Sequence, residues 1–175
     1  QVANLTSERD SAISARDAVQ TQLDNTKLSI IGIGPEAPIN STLTGVVNLG
    51  GLFSLSGDLA SYGENEQAAA LLAVNDVNAF LNSLGAKWTI ALVSEDTQTT
   101  PSICLEKVES FAARGIKLLI GPLSSGEVRA IKGYCDANKI LAISQSSTAP
   151  DLSIPDDYIF RFCPSDKLGQ GPAIG

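Results

Sequence analysis

Ile116-Lys-Leu-Leu-Ile120 runs directly into Gly121-Pro-Leu-Ser-Ser-Gly126, which in turn runs directly into a helical pattern. A short apolar run closed by a Gly-rich turn reads as a buried strand. When such a turn offers two hydroxyls and then opens a helix, it makes a small anion pocket. Free backbone N–H groups and the positive end of the helix dipole face whatever sits there. Ser144-Gln-Ser-Ser-Thr-Ala-Pro150 repeats the arrangement after the next strand. Two hydroxyl-rich loops at one edge of one sheet predict a site for a small polar molecule, and neither carries a catalytic residue.

The pattern on either side alternates strand and helix from Thr44 onward. Strands are expected at Gly45 to Phe53, Trp88 to Val93, Lys117 to Ile120, Ile140 to Ser144 and Tyr158 to Phe162. Helices are expected at Glu64 to Leu84, Pro101 to Arg114 and Ser125 to Asn138, the first two stopped by Gly85 and Gly115. Strands separated by helices of this length form a parallel sheet covered on both faces. Right-handed crossovers make it a doubly wound α/β sandwich, in which ligands sit beyond the carboxyl ends of the strands.

Composition narrows the function. The chain has 175 residues, 43% of them apolar, enough for one globular domain with a real core. A net charge of −7 argues against nucleic acid, since nothing here neutralises a run of phosphates. No stretch approaches the ~20 apolar residues that span a bilayer. Histidine is absent, which removes the commonest general base, the commonest metal ligand and every Ser–His or Cys–His nucleophile. Cys104, Cys135 and Cys163 fit no zinc spacing. With Cys104 near the start of one helix and Cys135 near the end of the next, the two are expected to lie far apart as free thiols. No cofactor, no metal and no enzyme activity are expected. The start at Gln1 and the lack of methionine suggest a processed product or fragment whose signal or anchor is missing.

The first thirty residues differ. Val2, Leu5, Ala12, Val19, Leu23 and Ile30 fall on the a and d positions of one heptad frame, but so do Arg9, Arg16 and Thr26. Thr6 to Leu28, free of Gly and Pro, is expected to be helical. It reads either as a coiled-coil stalk or self-associating arm, the preferred reading, or as a solvated helix. Residues 31–43 read as a linker, and 44–175 as the folded unit. Asn4-Leu-Thr6 and Asn40-Ser-Thr42 match the glycosylation triplet, which arises often by chance.

Gly51-Leu-Phe-Ser-Leu-Ser-Gly57, Ala60-Ser-Tyr-Gly63 and Ala73-Val-Asn-Asp-Val-Asn-Ala79 together resemble the opening of type I periplasmic solute-binding proteins, the leucine/isoleucine/valine-binding type that serve ABC importers. Ile120-Gly-Pro-Leu-Ser-Ser125, Ile143-Ser-Gln-Ser-Ser-Thr-Ala-Pro150 and Ile159-Phe-Arg-Phe-Cys-Pro-Ser-Asp166 continue the likeness in order, so that it covers residues ~44 to 175. The resemblance implies the first of two lobes that close on an amino acid or similar zwitterion. It implies that Ser125, through backbone and hydroxyl, takes the ligand carboxylate and that the Thr148 hydroxyl touches it too. The Ser146 carbonyl would accept from the α-ammonium, and Tyr62, in the first loop, would line the cleft. The implied protein is extracellular or periplasmic, membrane-anchored, and partnered by an ABC permease or a membrane receptor. The chain stops inside the helix expected from Gln170-Gly-Pro172, so the fifth strand would lack its cover and leave apolar surface exposed.

Plainer readings stand beside these. Ser125 could be only a helix N-cap worth ~1 kcal/mol, Ser124 a turn residue, and Ser147 a helper for its own loop. Glu95 and Asp96 read as solvated loop charges, Asp166 as a cap or brace for the helix after the fifth strand, and Arg161 as a structural residue near the hinge. Two rival functions share the fold: a sensory ectodomain coupled through the heptad segment, and a surface filament or lattice subunit joined by it. Nucleotide enzymes on this sheet are disfavoured because Gly121 to Gly126 lacks a phosphate-loop Lys and no Gly-x-Gly-x-x-Gly follows the first strand.

Overall fold

The structure is a computed structural model, and it describes residues 11, 13–22 and 43–168. The chain divides into two units, Gln1–Thr42 and Leu43–Gly175. In the first, residues 11 and 13–22 are helical (α1), with Ile13 and Val19 exposed. The rest of the heptad segment, the linker from Gly32, both glycosylation triplets and the expected helix at Gln170 lie outside the described residues.

The second unit runs β1 (Gly45–Phe53), α2 (Ala60–Ser83), β2 (Trp88–Asp96), α3 (Pro101–Ala113), β3 (Leu118–Ile120), α4 (Ser125–Asn138), β4 (Leu141–Ser144), one 3₁₀ turn (Pro150–Leu152) and β5 (Ile159–Arg161). The five strands form one sheet in the order β2-β1-β3-β4-β5, every pairing parallel. Stepping from β1 out to β2 and back past β1 to β3 reverses the winding. Right-handed crossovers therefore put α2 on one face and α3 and α4 on the other.

The α3–α4 face holds the core. Leu52, Leu119, Ala142 and Ile159 point into it from four strands and meet Val108 and Phe111 of α3 and Val128 and Ile131 of α4. The opposite residues of the same strands face the other way and are poorly covered. Leu118 is 44% exposed and Phe160 57%, and Phe162 just beyond β5 is 83% exposed. These apolar side chains are exposed because α2 packs on β1 and β2; the helix expected to cover β5 lies outside the described residues.

Two elements begin or end away from the expected positions. Helix α2 starts at Ala60 and so takes in Tyr62, which belongs to its first turn instead of a loop. It presses so closely on β1 that a Cβ at Gly63 would collide with the Ser54 carbonyl oxygen. Farther along, Asn78 accepts from Ile90 N–H and donates to Ile90 C=O, both at 2.8 Å, satisfying outward backbone groups of the edge strand β2. Strand β2 runs three residues past Val93, because its pairing with β1 continues to Phe53↔Asp96. Glu95 and Asp96 are thus strand residues, not loop charges. Glu95 pairs with Lys107 at 3.3 Å and Arg114 at 2.8 Å on α3.

All three cysteines are free. Cys104 and Cys135 are not far apart: both belong to the one core cluster, and α3 and α4 pack on each other. Burial, with the neighbouring Glu127 and then Cys135 adding to it, pushes the Cys104 thiol far up. Burial and Asp136 push Cys135 up to about 12. Neither ionises at physiological pH, so both act as core side chains.

Candidate functional site

Two loops at the carboxyl edge of adjacent strands define the site. After β3, Gly121 adopts φ +95, where an added Cβ would meet the Leu52 carbonyl oxygen, and a cis peptide joins it to Pro122. After β4, Ser144 latches the two loops together. Its hydroxyl donates to the Pro122 carbonyl at 2.7 Å and accepts from Ser147 N–H at 3.3 Å. The latter role was expected of Ser147, whose own hydroxyl is buried without a hydrogen bond.

The N-cap of α4 is Ser124, not Ser125. Its hydroxyl accepts from Glu127 N–H at 3.2 Å and donates to Glu127 Oε2 at 2.6 Å, and its N–H donates to the same oxygen at 3.1 Å. This is a complete capping box, with the fully buried Glu127 carboxylate as its second half. Ser125 is thereby released from capping and stands at the first helical position. Its N–H and that of Gly126 have no intrahelical acceptor. Its Oγ accepts from Ala149 N–H at 3.3 Å, which brings the two loops to one mouth and leaves the hydroxyl proton free.

Thr148 and Ser146 have already given their protons away. Thr148 Oγ1 donates to Asp166 Oδ2 at 2.9 Å, while Asp166 N–H donates to Thr148 C=O at 2.9 Å. Ser146 Oγ donates to Glu66 Oε1 at 2.9 Å. Towards a ligand both hydroxyls therefore present lone pairs, and Ser125 alone of the three retains a proton to offer. Asp166 braces this loop; the helix after β5 that it was expected to cap or brace lies outside the described residues. Arg161 is structural: it donates to the carbonyls of Ser147 and Ala149 at 3.0 and 2.9 Å. Tyr62 is 63% exposed, one helical turn before Glu66 on α2.

Asp96 shapes the approach from β1. It accepts from the N–H groups of Leu55 (2.9 Å), Ser56 (3.2 Å) and Gln98 (2.9 Å) and from Ser56 Oγ (2.6 Å). Burial works against its charge, but these donors prevail and hold the carboxyl below its usual range. Glu66 escaped sequence reasoning, and Asp96, read there as a solvated loop charge, instead organises the Leu55–Ser56 turn. Among the described residues no group of three or more His, Cys, Asp or Glu is placed to hold a metal.

The chain belongs to the periplasmic binding protein family, whose model matches residues 46–174. The family is one of binding proteins, not enzymes. An uncharacterized protein of Methanocaldococcus jannaschii is 43% identical over 136 residues, 74% of this chain and 32% of that protein. The chemotactic signal transduction system substrate-binding protein BasB of Halobacterium salinarum is 30% identical, over 69% of this chain and 31% of its own length. Among solved structures, the branched-chain amino acid transporter substrate-binding protein LivJ of Streptococcus pneumoniae, in complex with isoleucine, superposes with a TM-score of 0.62. It is 27% identical and the match covers 69% of this chain and 34% of LivJ. The chain thus spans about a third of the length of these relatives, the extent of a first lobe.

Proposed function

We propose that this lobe binds a small zwitterion, an aliphatic amino acid such as leucine or isoleucine, for ABC-type uptake outside the cytoplasm. The observation that carries the reading is the 3.3 Å bond from Ala149 N–H to Ser125 Oγ, which joins an anion-binding helix end to a loop rich in acceptors. The ligand carboxylate sits on the Ser125 and Gly126 amides and the Ser125 hydroxyl. Its ammonium donates to the Ser146 carbonyl and to Thr148 Oγ1. The Thr148 role moves from the carboxylate to the ammonium because Asp166 holds the hydroxyl proton. Tyr62 lines the opening, and a second lobe closes over it. An ABC permease is the partner, the protein is anchored at the membrane, and α1 is part of a stalk. The kinship with LivJ and its isoleucine supports this choice of ligand. The kinship with BasB favours a second reading, in which the same clamp reports to a chemotaxis receptor.

The test is calorimetry of the full-length gene product with leucine, isoleucine, glutamate and glucose. Leucine or isoleucine is expected to bind, and Ser125→Ala with Thr148→Val to abolish binding while circular dichroism stays unchanged. Unaltered affinity in that double variant refutes the site.

A further inference from the structure

Glu66 lies four residues beyond Tyr62 on α2, on the same face of the helix. Its bond with Ser146 ties α2 to the β4 loop across 80 positions of sequence. The carboxyl is half-buried. Burial pushes it above the usual range, Gln145 and Ser146 pull it back, and the nearby charge of Glu127 adds to the rise. A carboxylate in such a place costs stability at neutral pH, since burial disfavours its charge in the folded chain more than in the unfolded one. Around it, acceptors outnumber donors. Three acceptors, Glu66 Oε2, Glu127 Oε1 and Gln145 Oε1, are buried without a hydrogen bond, against one such donor, Gln145 Nε2, and Glu127 has no exposed surface at all. Asp166 Oδ1 is in the same condition, while Arg161 directs its donors to Ser147, Ala149 and Ser153. A mouth with surplus negative charge and unanswered acceptors lacks a cationic donor.

We propose that Glu66 is the positioning residue that makes this site read the ligand's amino group. By taking the Ser146 hydroxyl proton it leaves Ser146 Oγ as an acceptor beside the Ser146 carbonyl, and its charge draws an ammonium to that side of the mouth. The inference rests on the amino-acid reading above and adds the residue that sets the preference for an amine. A plain structural tie between α2 and the loop would need only an acceptor for Ser146, and Gln supplies one without charge.

The experiment uses Glu66→Gln in the full-length gene product, with leucine and with 4-methylpentanoate, which is leucine without its amino group. Binding of the second is read by displacement of the first. Glu66→Gln is expected to weaken leucine about tenfold, the scale of a charge-assisted hydrogen bond. It is expected to leave 4-methylpentanoate equal or tighter and the melting temperature equal or higher. Leucine affinity that does not change overturns the proposal. So does a loss shared equally by 4-methylpentanoate, or one accompanied by a lower melting temperature, since either assigns Glu66 a structural tie alone. Wild-type protein that binds no amino acid overturns the underlying reading and this proposal with it. Wild-type binding that persists unaltered in Glu66→Gln overturns this proposal only.

Discussion

Removing one hydroxyl at Ser124 tests how the mouth is built. Ser124→Ala deletes the cap acceptor for Glu127 N–H, a loss of ~1 kcal/mol at typical N-caps. It also deletes the 2.6 Å donor to Glu127 Oε2, leaving a fully buried carboxylate with the Ser124 N–H as its remaining bond. Stranding a buried charged acceptor adds about 2 kcal/mol. The combined cost is about 3 kcal/mol, or roughly 6–12 °C in melting temperature for a chain of this size. Urea unfolding followed by circular dichroism measures it directly, through the midpoint at unchanged slope. Ser124→Thr keeps the hydroxyl and is expected to lose less than about 1 kcal/mol. Ser125→Ala gives up only the long bond from Ala149 N–H and is expected to cost about 1 kcal/mol or less. A Ser124→Ala cost below about 1 kcal/mol, or a Ser125→Ala cost above it, refutes the assignment of capping to one serine and ligand contact to the other.

Asp96→Asn is expected to lower the melting temperature at neutral pH. Because the folded carboxyl titrates below its ordinary value of 3.8, its contribution is complete above that value and fades as pH falls below it. Wild type and variant should therefore converge in melts taken at progressively lower pH. Asn78→Ala removes both bonds to Ile90 and should cost about 2 kcal/mol in urea unfolding. Phe160→Ser with Phe162→Ser should reduce dye binding by the exposed face at a cost below about 1 kcal/mol, whereas Phe111→Ala in the core should cost about 3–5 kcal/mol.

The elements were legible because the strands centre on short apolar runs and two of the three helices in residues 43–168 end on a glycine with positive φ, Gly85 and Gly115, just past the last turn. Strand β1 and helix α4 fall where the pattern puts them. The end of β2 was not legible: Ser94-Glu-Asp96 is polar, and only pairing with β1 at the sheet edge keeps it extended. The Ser124-x-x-Glu127 spacing is a capping-box signal that sequence does carry. Two adjacent serines hid it, since the helix register decides which of them caps. Glu66 left no local signal, and Gln98 N–H is the one local partner of Asp96. Their distant partners, Ser146 and the Leu55–Ser56 backbone, are 80 and about 40 residues away, and the sheet order alone brings them together. The donor roles of Thr148 and Ser146 were equally hidden, because a hydroxyl's free proton depends on which carboxylate the fold places beside it.

Isoleucine titrated into ¹⁵N-labelled full-length protein should move the amide signals of Ser125, Gly126, Ser146 and Thr148 most among residues 43–168. Largest shifts instead at Asp156 to Tyr158, at the amino end of β5, would contradict the account.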